Sequence, residues 1–329
     1  MADELGHTPA MTERIPLILD CDPGHDDALA LVVGLARPEL ELLAVTTVAG
    51  NAGLPETTRN ALRVLTLLGR TDIPVAAGAA GPLVRPLHVA DEVHGASGLE
   101  GADLPEPGFR ARPEGAIELI RATLERASAP VTIAAVGPLT NIALFIRTHP
   151  ELVDRIASLR IMGGAITEGN STASAEFNIW QDPEAARIVF DCGRPITLMT
   201  LDTTHQALFT MADVERLEGV GTRVAAVFAD LLRFFGRFHA QRYGWDGSPI
   251  HDAVIVAHLA VPDLVRTVPY RVDVETTSEL TRGRTVVDLY GQRGLAPNVD
   301  VGREIDRERF VDLLIEAVRA VGAVEAGAR

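Results

Sequence analysis

The sequence predicts an α/β fold, with a mostly parallel, Rossmann-like open sheet, helices on both faces and extra helices in the C-terminal part. Short apolar segments alternate with helical patterns through the first two thirds of the 329 residues, and such alternation builds parallel strand–helix–strand units. Most of these segments are continuously apolar, as expected for strands covered on both faces. No linker divides the chain, so we expect a flexible N-terminus at 1–14, a single domain at 15–322 and a tail at 323–329.

The individual elements follow from apolar periodicity and from helix start and stop signals. Strands are predicted at 16–21, 40–48, 74–77, 131–136, 158–162, 195–200, 266–274 and 285–290. Helices are predicted at 26–35, 54–68, 114–127, 139–146, 182–190, 222–240 and 251–259. A closing helix carries Phe310, Leu314 and Val318 at helical spacing, and Gly322 is expected to cap it.

Charge and composition exclude several classes of partner. The formal net charge of −15 would repel a nucleic acid polymer. No stretch has the apolar length that a membrane span needs, and the N-terminus lacks a secretory signal pattern. Cys21 and Cys192 lie in no CxxC or Cys/His cluster, which favours free thiols in a reducing cytosol. We therefore expect a cytoplasmic protein with no membrane partner.

A run of acidic residues follows the first predicted strand. Asp20, Asp22, Asp26 and Asp27 lie within the segment DCDPGHDDA at 20–28. Pro23 and Gly24 permit a sharp turn, with Gly24 free to take positive φ, and the last two acids fall in the first turn of the next helix. All four carboxylates are therefore expected near one point at the carboxyl edge of the sheet, where open parallel sheets bind ligands.

Electrostatic magnitudes indicate what must accompany these acids. Two carboxylates about 4 Å apart repel by roughly 4 kcal/mol at an effective dielectric of 20, whereas a helix N-terminus stabilises one carboxylate by roughly 0.3–1 kcal/mol. Either some of the groups are protonated or a divalent cation lies among them. Oxygen ligands favour Ca²⁺ or Mg²⁺ over zinc. Helix capping would explain only one or two of these acids.

A different enzyme class also places an acidic pair after its first strand. Haloacid-dehalogenase-type phosphatases use the first aspartate of such a pair as the nucleophile, which would be Asp20 here. The Pro23-Gly24 turn and the Asp26-Asp27 pair depart from that pattern.

The segment at 20–28 resembles the signature of the inosine–uridine preferring nucleoside hydrolase family. Further segments agree in the same order, so the resemblance extends from about Ile15 to beyond Asp252. They are VAGN at 48–51, AVGPLTN at 135–141, MGG at 162–164 with GN, AEFN and DPEAA after it, and SPIHDA at 248–253.

The resemblance implies hydrolysis of the N-glycosidic bond of ribonucleosides to ribose and free base. Asp22, Asp27, Asp252 and the backbone carbonyl of Val136 would bind Ca²⁺. Calcium lowers the pKa of a bound water less than zinc does, so a carboxylate base is needed, and we assign this role to Asp22. His251 would act as the acid for the departing base.

The resemblance also implies a set of substrate contacts. Glu176 and Asn178, two residues apart, would share one side of an extended segment, and His239 and Tyr243 would share a helix face near the base. The expected substrate-binding residues are Asp26, Asn51, Met162, Asn170, Glu176, Asn178, His239 and Tyr243.

Several alternatives stay open at this point. His25 in the motif, with the His239–Tyr243 pair, favours the branch that prefers pyrimidine nucleosides, uridine and cytidine, but purine nucleosides remain candidates. His94 and His205 are further candidate site residues. A non-catalytic, Ca²⁺-dependent riboside-binding protein would use the same scaffold. Family resemblance implies a homodimer or homotetramer.

Overall fold

The computed structural model describes residues 14–327, and eleven strands lie in this part of the chain. Nine of them form one sheet, and the other two, the seventh and the eighth, form a separate antiparallel pair. The strands are β1 (Ile15–Cys21), β2 (Leu40–Thr47), β3 (Val75–Ala77), β4 (Val131–Ala135), β5 (Ile156–Met162), β6 (Ile196–Met199), β7 (Leu208–Thr210), β8 (Gly247–Pro249), β9 (Val265–Val274), β10 (Thr285–Asp288) and β11 (Val299–Ile305).

Helices cover both faces of the large sheet. The α-helices are α1 (His25–Ala36), α2 (Leu54–Leu67), α3 (Asp91–His94), α4 (Ala116–Arg126), α5 (Thr140–Thr148), α6 (Phe177–Gln181), α7 (Pro183–Phe190), α8 (Leu201–Thr204), α9 (Met211–Glu218), α10 (Arg223–Tyr243), α11 (His251–Ala260) and α12 (Arg307–Gly327). Short 3₁₀ helices occupy Pro150–Arg155 and Pro262–Leu264.

Side chains of β1 show how the two layers form. Leu17, Leu19 and Cys21 are fully buried in an apolar core shared with α1, α10, α11 and α12. Ile18 points to the opposite face, where a second core contains residues of α4, α5 and α7. Because successive strand residues face opposite sides, a continuously apolar strand is what a doubly covered sheet requires.

The strand order determines where a ligand site forms. The sheet runs β10-β9-β11-β6-β5-β4-β1-β2-β3, and its pairings are parallel except those that β9 makes with β10 and β11. From β1 the chain builds β2 and β3 on one side and then crosses to β4 on the other. The order therefore reverses between β1 and β4, which is the switch point where doubly wound sheets bind ligands.

This architecture confirms the predicted fold class, and all the predicted strands and helices are present with ends shifted by at most three residues. The prediction missed β11, which pairs with both β6 and β9. Its apolar residues are few and are separated by Asp300, Gly302 and Arg303, so it lacks the continuous apolar run of the central strands.

Both chain ends qualify the predicted domain bounds. The cap predicted at Gly322 is wrong, because α12 continues to Gly327 and the predicted tail at 323–329 therefore begins inside this helix. A Cβ at Gly322 would lie 2.7 Å from Thr222 Oγ1, so close packing explains the glycine. The predicted flexible segment at 1–14 lies outside the described residues except for Arg14, whose guanidinium donates to the Leu40 carbonyl.

A membrane span was not expected from the sequence. Over residues 14–327, none of the helices combines the length and the apolar character that crossing a bilayer requires.

Candidate active site

A cavity of about 370 Å³ opens at the carboxyl ends of the central strands. This is a usual size for a small-molecule site. Acids, amides and aromatic side chains all contribute to its wall. It is lined by eleven of the residues predicted for the site, namely Asp26, Asn51, Val136, Met162, Asn170, Glu176, Asn178, His239, Tyr243, His251 and Asp252.

Three buried carboxylates meet beside this cavity. Asp26 and Asp27 come from the first turn of α1, Asp252 comes from the first turn of α11, and oxygens of the three lie within 4.8 Å of one another. A cluster of hard oxygen donors at such spacing fits a divalent cation such as Ca²⁺. The group differs from the predicted ligand set, because it contains Asp26 in place of Asp22.

Asp22 lies next to the cluster and is held by backbone groups. Its Oδ2 accepts a hydrogen bond of 2.7 Å from the Asn51 amide. Its own amide donates to Asp27 Oδ1 over 3.0 Å. The Asn51 side-chain amide joins the two acids, since its Nδ2 lies 3.2 Å from the Asp22 carbonyl and 3.1 Å from Asp27 Oδ2.

Two glycines leave the space that the Asp22 carboxylate fills. A Cβ at Gly137 would lie 2.5 Å from Asp22 Oδ1, and a Cβ at Gly50 would overlap Asp22 Oδ2. Neither glycine has positive φ, so the glycines are needed for close approach and not for backbone conformation. The sequence gives no direct signal for this role.

We expect Gly137→Ala to lower kcat/KM by about 100-fold, because Asp22 is the predicted general base and displacing such a group by about 1 Å costs a factor of this order. Gly34→Ala is the matched control, since a Cβ there meets only ordinary contacts at 3.8 Å and 4.0 Å. Steady-state kinetics and thermal unfolding of both variants would check this. A Gly137→Ala enzyme as active as Gly34→Ala would contradict the tight placement of Asp22.

The acids cannot all be ionised in this environment without a counter-charge. Burial, and then repulsion from Asp27, raise the pKa of Asp22 well above its usual range. Burial, and then repulsion from Asp26, do the same to the pKa of Asp252. The pKa of Asp26 is raised to about 7 by burial and by Asp27. The structure therefore poses the choice inferred from the sequence, protonation or a bound cation.

Asp20 does not join the cluster, so the expectation that four carboxylates converge is wrong for this residue. Its Oδ1 accepts hydrogen bonds from Thr46 Oγ1 over 2.5 Å and from Asn141 Nδ2 over 2.7 Å. Its Oδ2 is buried without a partner, and burial raises its pKa to about 7. Asp20 ties β1 to β2 and α5 and does not line the cavity.

Glu176 and Asn178 lie at the start of helix α6, not on the extended segment that was predicted for them. Glu176 caps α6, with Oε1 accepting from the Asn178 amide over 2.9 Å and Oε2 from the Gly164 amide over 2.8 Å. The Asn178 side chain donates to the Val136 carbonyl over 2.7 Å. A carbonyl oxygen has two lone pairs, so this bond leaves Val136 able to act as a ligand. Asn170 accepts from the Phe177 amide over 2.9 Å.

Aromatic side chains form a second cluster in the cavity wall. The rings of His239 and Tyr243 lie 6.1 Å apart on one face of α10, as predicted, and Trp245 lies 4.6 Å from Tyr243. Phe235 and Phe238 also line the cavity, and neither was predicted from the sequence. The signal was present, because positions 235, 238, 239, 242 and 243 follow the spacing of one helix face.

The motif histidine lies behind this wall. His25 does not line the cavity; its Nε2 lies 2.7 Å from the Glu100 carbonyl and its Nδ1 lies 3.0 Å from Nδ1 of His94, which does line it. Gly24 has φ of −99° and not the expected positive value. Its glycine is needed because a Cβ would lie 2.6 Å from His94 Nδ1.

His251 and His205 also line the cavity. His251 Nδ1 is 2.6 Å from Thr204 Oγ1, and the His205 ring centroid is 5.7 Å from that of His251. Burial, and then the neighbouring His205 and His239, hold the pKa of His251 well below its usual range. Burial lowers the pKa of His239 to about 4. The imidazoles of His239 and His251, which line the cavity, are therefore neutral near pH 7.

Comparisons with known proteins agree with this fold and site. The family model of the inosine-uridine preferring nucleoside hydrolases matches residues 17–312. A pyrimidine-specific ribonucleoside hydrolase RihA of Enterobacter sp. (strain 638) is 52% identical over 303 residues, which cover 92% of this chain and 97% of the relative. The protein of the same name from Salmonella schwarzengrund is 50% identical, with 93% of this chain and 98% of the relative covered.

Solved structures give the same result. The purine-preferring ribonucleoside hydrolase from Gardnerella vaginalis superposes with a TM-score of 0.88 at 31% identity, covering 94% of this chain and 99% of that one. A plant nucleoside hydrolase, PpNRh1, superposes with a TM-score of 0.87 at 33% identity, covering 93% and 99%.

The fold and the site, with these matches, define an N-glycosyl hydrolase that acts on ribonucleosides. The chain belongs to the inosine–uridine preferring nucleoside hydrolase family.

Proposed function

We propose that this enzyme prefers pyrimidine nucleosides, uridine and cytidine, and hydrolyses them to ribose and free base. Two relatives about half identical to it carry the name pyrimidine-specific ribonucleoside hydrolase. The wall of His239 and Tyr243 on α10, with Trp245 beside them, supplies a flat surface and polar ring atoms for a small base. The observation that carries the wider proposal is that these aromatic side chains and buried carboxylates line one cavity.

The acids beside the cavity would hold Ca²⁺. We assign Asp22, Asp27, Asp252 and the Val136 carbonyl as ligands, and Asp26 is close enough to its neighbours to contribute an oxygen. When bound, the ion supplies positive charge that offsets the repulsion among the acids and attracts hydroxyl oxygens.

The other roles in the reaction are assigned to side chains of the enzyme. Cleavage of an N-ribosyl bond passes through a state with positive charge on the sugar, as in glycoside hydrolysis. Asp22 takes a proton from the attacking water. The ribose is oriented by polar side chains, and the gain comes from positioning. The residues assigned to ribose are Asp26, Asn51, Met162, Asn170, Glu176 and Asn178.

The departing base faces the other wall of the cavity. His239 and Tyr243 contact it, and His251 donates a hydrogen bond to the negative charge that develops on it as the bond between base and sugar breaks. His94 and His205 line the same space.

The base preference is tested by measuring ribose release from uridine, cytidine, inosine and adenosine. We expect kcat/KM for uridine and cytidine to exceed that for inosine and adenosine by at least about tenfold, which corresponds to about 1.4 kcal/mol of transition-state binding. Equal values, or a preference for inosine, would overturn the pyrimidine assignment while leaving nucleoside hydrolysis intact.

Two alternative functions of the site, riboside binding without catalysis and phosphate ester hydrolysis, give different results in such assays. A riboside-binding protein would bind uridine without releasing ribose. A phosphatase would release phosphate from an ester, which would require Asp20 as nucleophile, yet its carboxyl is buried between Thr46 and Asn141.

The oligomeric state is inferred from the family resemblance, and the cellular location from the free thiols of Cys21 and Cys192. We propose a homodimer or homotetramer in the cytoplasm, and light scattering of the purified protein measures the oligomeric state directly.

A further inference from the structure

We propose that Thr204 is a positioning residue that fixes the tautomer of His251, so that this ring presents an N–H to the departing base and not a lone pair. The inference rests on the proposed function of His251 as the donor to that base. It concerns a residue outside the cavity wall, at the end of helix α8.

The contact itself is short and buried. Thr204 Oγ1 lies 2.6 Å from His251 Nδ1. Thr204 is fully buried, so its hydroxyl cannot turn to bulk water. Within residues 14–327 this hydroxyl makes no second hydrogen bond. Its neighbour Thr203, on the same helix, is engaged elsewhere, with Oγ1 donating to the Gly302 carbonyl over 2.6 Å.

Only one direction of this hydrogen bond satisfies both groups. If His251 donated from Nδ1, the hydroxyl hydrogen of Thr204 would be buried with no acceptor, which is costly. If the hydroxyl donates, Nδ1 accepts and the proton of the neutral ring resides on Nε2. A hydroxyl with one available partner therefore selects the tautomer of the imidazole.

The selected tautomer suits the reaction. His251 lines the cavity, and its Nε2 makes no hydrogen bond to protein groups in the described part of the chain. When the bond between C1′ and the base breaks, its electron pair moves to the base, where negative charge develops. A neutral imidazole can stabilise such charge by donating a hydrogen bond, whereas an Nε2 lone pair would repel it.

The test compares two substrates that share the ribosyl group and differ in how much help their leaving groups need. Uridine has a poor leaving group, whereas 4-nitrophenyl β-D-ribofuranoside releases a stable nitrophenolate. We expect Thr204→Val to lower kcat for uridine by roughly tenfold and to change kcat for the nitrophenyl riboside by less than about twofold, since only the first needs help at the leaving group. Thr204→Ser, which keeps the hydroxyl, should recover most of the uridine rate.

Thr203→Val is the matched control on the same helix. It removes a buried hydroxyl that does not touch His251, so it should shift the thermal midpoint without changing the ratio of the two kcat values. An equal loss on both substrates in Thr204→Val, an unchanged uridine rate, or a failure of Thr204→Ser to recover it would overturn the assignment of Thr204.

His251→Ala separates this inference from the proposed function on which it rests. If His251→Ala keeps its uridine rate, the donor role of His251 fails, and the inference falls with it. If His251→Ala loses uridine activity selectively but Thr204→Val does not, only the role of Thr204 fails.

The tautomer can also be observed without turnover. In protein labelled with ¹⁵N-histidine, with the His251 signals assigned by their loss in His251→Ala, we expect protonated Nε2 and unprotonated Nδ1 in the wild type and a mixture in Thr204→Val. A wild-type spectrum with the proton on Nδ1 would contradict the inference.

Discussion

Asp22→Asn is expected to reduce kcat/KM for uridine by about 10³- to 10⁴-fold, the upper range for removal of a general base. The amide keeps the shape of the carboxylate between Gly50 and Gly137, so the fold should persist, but it cannot accept a proton from water. Steady-state kinetics, with circular dichroism to check the fold, would measure this effect. Near-normal turnover would reject Asp22 as the base.

Asp20→Asn is the matched control, two residues earlier. Its remaining oxygen can still accept from Thr46 and Asn141, as Oδ1 does in the wild type. Because the Asp20 carboxyl has a pKa of about 7, the amide resembles its neutral form. We therefore expect this variant to keep kcat/KM within about tenfold of the wild type, well short of the loss of a catalytic group. A loss as large as that of Asp22→Asn would return Asp20 to the list of catalytic candidates.

Removal of divalent cations is expected to lower activity by at least about 100-fold, with Ca²⁺ restoring it, because the charge of a bound cation contributes several kcal/mol to transition-state stabilisation. Without a counter-charge, burial and mutual repulsion favour protonation of the acids, and a protonated Asp22 cannot act as a base. Dialysis against a chelator, elemental analysis and readdition of Ca²⁺ or Mg²⁺ would measure the dependence. Full activity in protein shown to lack metal would defeat the cation assignment.

The same experiment has a pH-dependent stability readout. The pKa values of Asp26 and Glu176 are raised to about 7 in the folded protein, so the folded state binds protons that the unfolded state has released. The free energy of unfolding must therefore fall as pH rises towards and through about 7. At lower pH the histidines have the opposite effect, and the free energy of unfolding rises with pH. The reason is that burial lowers the pKa of His25 and of His239 to about 4.

Below about pH 6.5, the usual histidine pKa, the carboxyl groups and the histidines change the free energy of unfolding in opposite directions. Above this pH only the effect of the carboxyl groups remains. In chelator, the thermal midpoint should fall between about pH 6.5 and 8.5. Saturating Ca²⁺ should reduce the fall, because the ion binds the ionised acids of the folded state and its binding releases their protons, so the stabilisation that it adds grows as the pH rises. A midpoint independent of both pH and Ca²⁺ in this interval would contradict the picture of a repulsive acid cluster.

The strands at the centre of the large sheet could be predicted because they are covered on both faces. Such strands appear in sequence as continuous apolar runs, and β1, β2, β4, β5 and β6 were all placed on that basis. β11 was not predicted, because polar residues separate its apolar residues and it therefore lacks a continuous apolar run.

The site residues also divide into those that could be identified from the sequence and those that could not. Acids and amides at strand ends were identifiable, since polar groups after a buried strand need an explanation. The orientation of a side chain was not, which is why Asp20 was expected in the cluster and Glu176 on an extended segment. Thr204, Gly50 and Gly137 act through contacts between segments distant in sequence, and their residue types give no hint of these contacts.

The position of β11 has a consequence for synthesis of the protein on the ribosome. β6 and β9 are joined through β11, which is translated after both of them. Until that strand emerges, the growing chain presents the unpaired edge of β6 and a β9–β10 hairpin that has no place to attach. Exposed edges of this kind promote aggregation of nascent chains, so a stop codon before residue 299 should yield an insoluble product and not a smaller enzyme.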